Sequence, residues 1–101
     1  MELITGVALG RRVYIDGIEL LPTKSQTCRN HSPDGFNWGY GGSGPAQLAL
    51  AIMLHYLLTP DAVRLYQEFK FDIIANLTID HNFELEVSDV TFWIAKHRIT
   101  P

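Results

Sequence analysis

The chain has 101 residues, of which 47% are hydrophobic and 19% are charged, and its formal net charge is −3. These values predict one globular domain over residues 1–101, and they exclude a disordered chain, a repeat array and a multidomain enzyme. The apolar run 48–58 is too short to span a bilayer, and the single cysteine, Cys28, excludes an intrachain disulfide. No run of Lys and Arg exists that would bind duplex nucleic acid. We therefore expect a cytoplasmic protein that binds neither membranes nor duplexes.

The N-terminal residues predict a small antiparallel β-sheet. Residues 13–20 alternate around Asp16-Gly17, a dipeptide that tolerates the positive φ angles of a two-residue hairpin turn. In that register four apolar side chains lie on one face and are expected in the core: Val13, Ile15, Ile18 and Leu20. Residues 3–9 predict a third strand, with Gly10-Arg11 in the turn before it joins the hairpin.

A long connection follows, over residues 22–44. It shows no sustained periodicity and contains Pro22, Pro33 and five of the eight glycines. A connection of this length is either functional or contains an element that the pattern does not reveal. Aromatic residues alternate over 36–40, which predicts a short strand inside it.

The remainder predicts three helices. Residues 46–58 are apolar on nearly every face, which is typical of a buried central helix with Pro45 in its first turn. Thr59-Pro60-Asp61 is a helix start signal, and the helix is expected to run to about residue 76. Residues 83–87 predict a short extended segment, and Ser88 can cap a last helix. Six helical residues complete the expected core: Leu48, Ile52, Leu65, Phe69, Ile73 and Trp93.

The predicted fold class is therefore α+β. It has a small N-terminal antiparallel sheet, a long ordered glycine-rich loop and three C-terminal helices.

Residues 30–49 read NHSPDGFNWGYGGSGPAQLA, which joins a polar turn, alternating aromatics, a glycine cluster and a helix start. This segment resembles the signature NHSP-x-GF-x-WGYGGSGPAQLALA of a family of small bacterial and phage proteins with no established activity. Residues 66–70, YQEFK, resemble a second block of that family, and the resemblance spans roughly residues 10 to 94. It implies a setting in phages and mobile elements, and it implies no mechanism.

The glycine cluster suits the binding of an anion. Glycines expose consecutive N–H groups, and the following helix directs its positive dipole end to the same point. The absence of a Lys after the glycines and of a βαβ frame excludes the known nucleotide loops. The expected ligand contacts are the hydroxyl, amide, guanidinium, imidazole and aromatic groups around this turn: Arg11, Arg12, Arg29, Asn30, His31, Trp38, Tyr40, Gly41, Gly42, Ser43, Gly44 and Gln47. A tight turn that only packs the loop on the helix is the alternative.

Three classes of function stay open. The first is capture, without catalysis, of a small anionic ligand such as a nucleotide signal, which in a phage would act against host defence. The second is an inhibitor or adaptor that binds a host protein. The third is a small nucleotide-processing hydrolase that uses His31, although no acid/base or nucleophile–base pair is readable. No catalytic residue, metal site or cofactor is predicted, and a homo-oligomer is compatible with the chain. A pocket lined by Arg11, Arg12 or Arg29 would favour the first class, and a flat apolar patch the second.

Overall fold

A computed structural model describes residues 2–98 as a four-stranded antiparallel sheet packed against helices. The strands are β1 (Leu3–Val7), β2 (Arg12–Ile15), β3 (Ile18–Glu19) and β4 (Phe83–Glu86), in the order β3-β2-β1-β4. The helices are α1 (Thr23–Cys28), α2 (Ser43–Tyr56), α3 (Thr59–Asp72) and α4 (Val87–Arg98), with a 3₁₀ turn at Ile74–Asn76. The α+β class is confirmed, with the sheet on the N-terminal side and most of the helices after it.

The predicted hairpin has the expected register. Ile15 pairs with Ile18, and the turn residues Asp16 and Gly17 have φ angles of 52° and 82°. These angles are those of the turn that matches the right-handed twist of two strands. The extended segment after α3 is β4, and it pairs with β1 at the other side of the sheet. Local sequence cannot predict that pairing, because the partners are far apart along the chain.

The core forms around α2, which is buried on every face and lies against α3. Seven of the ten predicted core residues are buried: Val13, Ile15, Leu48, Ile52, Leu65, Phe69 and Trp93. Leu20 and Ile73 are only half-buried, and Ile18 is 75% exposed. The prediction for Ile18 is wrong because β3 is the edge strand, and the inner face of the sheet opens there into a cleft.

The connection 22–44 differs from its prediction in two ways. It contains α1, whose polar sequence TKSQTC buries only Ser25 and therefore has no apolar period to detect. The strand expected at 36–40 is absent, because Phe36 and Trp38 insert into the core while Gly39 turns the chain at a φ of +88°. The alternating aromatic residues therefore belong to a loop that inserts into the core and not to a strand that pairs in a sheet.

The helix ends also shift by a few residues. α3 ends at Asp72, and the predicted extension to residue 76 is the 3₁₀ turn. α4 begins at Val87, directly after β4, so Ser88 lies inside the helix and does not precede it. No helix within residues 2–98 has the length and apolar character needed to cross a bilayer.

Candidate functional site

The glycine-rich turn, residues 39–44, joins the aromatic loop to the start of α2. Its two end glycines are required by close packing. A Cβ on Gly39 would lie 2.5 Å from the backbone of Ile79, and a Cβ on Gly44 would lie 2.6 Å from the side chain of Asn37. The Gly39 amide also donates a 3.0 Å hydrogen bond to the carbonyl of Ile74. Close packing therefore accounts for glycine at both positions, independently of any ligand.

The middle of the turn carries unused hydrogen-bond donors. Within residues 2–98, the backbone amides of four consecutive residues have no protein acceptor: Gly41, Gly42, Ser43 and Gly44. The last two begin α2, where the helix dipole is positive. Gly41 and Ser43 are exposed, so part of this row of donors faces solvent.

Two residues of α3 lie beside the turn. α2 and α3 form a helical hairpin, so the last turn of α3 sits next to the first turn of α2. The Phe71 ring lies 3.6 Å from the position of a Cβ on Gly41, and the Lys70 Nζ lies 4.1 Å from the centroid of that ring. On the other side, the Tyr40 ring packs directly on Gly42.

Lys70 has a buried stem, and its ammonium has no acidic partner within residues 2–98. Its side chain is only 8% exposed, and within the described residues its ammonium makes no ion pair and no hydrogen bond. No buried side-chain nitrogen of residues 2–98 lacks a partner, so the ammonium itself reaches solvent while its stem is buried. A Lys is seldom this buried without a carboxylate beside it.

Sequence reasoning missed Lys70 and Phe71 as site residues. Both residues belong to or adjoin a block that the sequence singles out, because Lys70 is the last residue of YQEFK and Phe71 follows it. The signal that could have located them is the short break before Thr59-Pro60. Two helices of similar length joined by a short connection are antiparallel, so the end of the second lies beside the start of the first.

Gln47 is fully buried and has no free polar atom. Its Oε1 accepts hydrogen bonds from the amides of His31 (2.8 Å) and Ser32 (2.9 Å). Its Nε2 donates to the hydroxyl of Ser25 (2.9 Å) and the carbonyl of Arg29 (3.0 Å). Gln47 thus ties the polar loop and α1 to the central helix, and its amide is not available to a ligand.

Trp38 and Arg11 are likewise engaged within the protein. Trp38 is fully buried, donates from Nε1 to the carbonyl of His81 (2.8 Å), and packs edge-on against Phe83. Arg11 forms an ion pair with Asp80, and its guanidinium lies 5.5 Å from the centroid of the Trp38 ring. The buried indole of Trp38 is therefore closed to a ligand, and the Arg11 guanidinium is already paired with a carboxylate.

The other predicted contacts occupy different positions. Arg12 lies on β2, and Arg29 and Asn30 follow α1. All three are exposed, and none is hydrogen-bonded or ion-paired to the glycine-rich turn. His31 places its Nε2 2.8 Å from the hydroxyl of Tyr66, which lies one helical turn before Lys70. Three clefts on the surface of residues 2–98 are lined by other parts of the chain, and none of these three contains a residue of the glycine-rich turn.

One cluster of side chains within residues 2–98 has the spacing of a metal site. Among the described residues, one group of three side chains could hold a metal ion: Glu68, Asp72 and His97. It links α3 to α4, because Asp72 accepts the indole N–H of Trp93 and the imidazole stacks on that indole. Cys28, His31 and Asp34, which lie close together along the connection 22–44, do not form such a group within residues 2–98.

Comparison with known proteins gives a family and no activity. No curated protein and no solved structure matches the chain. A family model matches residues 5–96, a range that includes most of the sheet, the glycine-rich turn and the block at 66–70. The chain belongs to this family of unknown function (DUF6166).

Proposed function

We propose that the protein is a binding module that captures a small anionic ligand at the glycine-rich turn, without catalysis. The observation that carries the proposal is Lys70, which has no carboxylate partner among residues 2–98 and whose ammonium lies 4.1 Å from the centroid of the Phe71 ring; that ring packs on Gly41, in the row of four free amides. An unpaired ammonium that reaches solvent, next to a ring that packs at a helix N-terminus, is suited to an anion from solution.

The free energy available to such a site is moderate. Hydrogen bonds to a charged group contribute about 1.5–3 kcal/mol each, and an exposed helix terminus adds about 0.3–1 kcal/mol. The ammonium with two amides would therefore supply about 5–10 kcal/mol before the entropic cost of association. A net value of about 4–7 kcal/mol corresponds to a Kd of roughly 10 µM to 1 mM, which is sufficient for an abundant metabolite.

Two exposed aromatic rings favour a ligand that carries a ring as well as a charge. Tyr40 is 40% exposed and Phe71 is 60% exposed, and they pack on Gly42 and Gly41 respectively. Stacking of a base on an aromatic side chain contributes about 1–3 kcal/mol. A nucleotide therefore fits this site better than a simple inorganic anion.

The proposed contacts differ from the sequence hypothesis in composition. The proposal keeps Tyr40, Gly41, Gly42, Ser43 and Gly44, and it adds Lys70 and Phe71. It does not use Arg11, Trp38 or Gln47, whose polar groups are bonded within the fold. Arg12, Arg29, Asn30 and His31 stay as predictions. In a phage setting, which the family resemblance implies, the ligand would be a nucleotide signal of host defence.

The decisive experiment removes one amide without disturbing the helix. Ser43→Pro deletes the N–H at the first position of α2, where proline is well tolerated, and the extended Gly42 before it is compatible with proline. Ser43→Ala is the matched control, since it removes the hydroxyl and keeps the amide. Calorimetry with AMP, cyclic nucleotides and adenosine is expected to show tighter binding of the phosphorylated compounds, and a loss of tenfold or more in Ser43→Pro.

A charge-removing pair complements this test. Lys70→Met keeps the buried aliphatic stem and removes the ammonium, and Lys96→Met makes the same change on the exposed face of α4. We expect Lys70→Met to abolish the salt dependence of nucleotide binding, and Lys96→Met to leave it unchanged. Absence of any thermal stabilisation by nucleotides or phosphate at millimolar concentration would refute the proposal.

A protein partner is the second candidate, and a specific observation favours it. The turn lies outside the three clefts, and it borders the exposed apolar side chains of Tyr40, Phe71 and Ile79. Exposed apolar side chains that lie together are typical of protein interfaces. If the protein is an adaptor or inhibitor of this kind, Phe71→Ala should lose binding of the partner protein and Ser43→Pro should keep it. Nucleotide binding, in contrast, should be lost in Ser43→Pro.

A further inference from the structure

A second site lies at the opposite end of α2 from the glycine-rich turn. A cleft of about 430 Å³ opens between the β2–β3 hairpin, the C-terminal end of α2 and the start of α4. We call it the acidic cleft. It is lined by carboxylates, apolar side chains and two ring systems: Glu2, Ile15, Asp16, Ile18, Glu19, Leu20, His55, Tyr56, Val87 and Thr91.

The floor of the acidic cleft is apolar sheet surface that the helices leave uncovered. Ile15 and Ile18 are directly paired across the hairpin and therefore lie on the same face of the sheet. Ile15 is buried, whereas Ile18 is 75% exposed and lines the cleft. The apolar face of the sheet thus extends beyond the part that the helices cover. An uncovered apolar surface of this kind can receive an aliphatic group.

Three acidic residues line the cleft, together with His55. The carboxylates of Glu2, Asp16 and Glu19 form no ion pair with any Lys or Arg of residues 2–98. The Tyr56 hydroxyl makes no hydrogen bond within the described residues. Burial raises the pKa of Tyr56 above its ordinary value, and the charges of Glu2 and Asp16 add to that effect, which places these two carboxylates near the Tyr56 hydroxyl.

The spacing of these carboxylates decides which cation fits. They are not among the side chains of residues 2–98 that converge closely enough to share one metal ion. Separated carboxylates around an apolar floor match a ligand whose positive charges are themselves separated by methylene groups. An aliphatic di- or polyamine has that structure, since its ammonium groups carry the charge and its carbon chain is apolar.

We infer that the acidic cleft binds an aliphatic polyamine, with ammonium groups at Glu2 and Asp16 and the methylene chain on Ile18. This site goes beyond the proposed function, because it takes a ligand of opposite charge at the other end of the central helix. No Lys or Arg of the described chain lines the cleft to oppose such a ligand.

The experiment measures binding of α,ω-diamines from three to eight carbons, and of spermidine, by calorimetry at constant ionic strength. A methylene that enters an apolar site strengthens binding up to about fourfold when fully buried. In the half-open cleft we expect about twofold per methylene. Asp16→Asn and Glu2→Gln should each weaken binding about two- to fivefold, and Ile18→Thr should flatten the dependence on chain length.

The controls separate this site from a generally acidic surface. Asp34→Asn removes the same charge from an exposed loop outside the cleft, and it should leave spermidine affinity unchanged. Asn tolerates the positive φ of residue 16, and residue 18 is exposed, so these variants should fold. Affinities independent of chain length, equal weakening by Asp34→Asn, or equal displacement by MgCl₂ at matched charge would each overturn the inference.

Discussion

Replacement of Gln47 by Met tests whether this residue supports the fold. Met has nearly the same length and volume as Gln, so the substitution removes four hydrogen bonds with little change in packing. Three of the bonded groups belong to His31, Ser32 and Arg29, which are half-buried or exposed, so water can partly replace the lost partners. The fourth is the buried Ser25 hydroxyl, which also donates to the Pro22 carbonyl.

The expected loss follows from these contacts. Four hydrogen bonds at about 1 kcal/mol each give an upper value of about 4 kcal/mol, and partial rehydration lowers it to about 2–4 kcal/mol. A domain of this size has a total stability of about 5–15 kcal/mol, so the variant would lose a large part of it. The midpoint of thermal unfolding should fall by about 10 °C or more.

Urea denaturation of Gln47→Met and of Gln67→Met provides the measurement. Gln67 is exposed on α3 and makes no side-chain hydrogen bond within residues 2–98, so the same change there should be nearly neutral. Amide hydrogen exchange at residues 31 and 32 should accelerate in Gln47→Met alone. A loss below about 1 kcal/mol, or one equal to that of Gln67→Met, would show that the buried amide does not hold the loop.

Two further predictions concern aromatic residues. Trp38→Ala should destabilise the domain by about 3–5 kcal/mol, because Trp38 is fully buried, whereas Phe92→Ala, at a 71%-exposed side chain, should shift the unfolding midpoint little; equal shifts in the two variants would contradict the burial. Ultraviolet titration should reveal a phenol with a pKa above the ordinary 10.0 that disappears in Tyr56→Phe. Because the pKa of Tyr56 is raised in the folded state, the contribution of Tyr56 to stability is complete below the unfolded pKa and is lost as the pH rises through the folded pKa. If the wild-type titration differs from that of Tyr56→Phe only by one phenol of ordinary pKa, burial and the neighbouring carboxylates do not raise the pKa of Tyr56.

Much of the fold follows from local signals in the sequence. The Asp16-Gly17 turn, the apolar run of α2 and the Thr59-Pro60-Asp61 start each depend on neighbouring residues, and each predicts its element. Local signals do not predict which strand pairs with which, or whether the side chains of a loop are buried in the core. The pairing of β4 with β1 and the insertion of Trp38 into the core both depend on residues far away in the chain.

In the candidate site too, local sequence predicts some contacts, and others depend on residues far away in the chain. The glycines and the start of α2 are consecutive, so sequence alone brings their amides together. Closeness along the chain predicts that Arg11 lies beside them, and Arg11 is instead paired with Asp80. Phe71, which follows the turn by more than twenty residues, packs on Gly41 through the α2–α3 hairpin, and the Lys70 ammonium lies against the Phe71 ring.

The two proposed sites lie at opposite ends of the central helix. A helix is stabilised by acids near its N-terminus and by bases near its C-terminus. α2 has no acid in its first turn, its last turn carries the base His55, and the charges of Glu2 and Asp16 act on its C-terminal residue Tyr56. In the two proposals, Lys70 at the first end and these carboxylates at the last end would each be paired by a bound ion of opposite charge. Fourteen residues separate the ends by about 21 Å, more than the screening length of about 8–10 Å in physiological salt. An anion at one end and a polyamine at the other would therefore bind without interfering with each other.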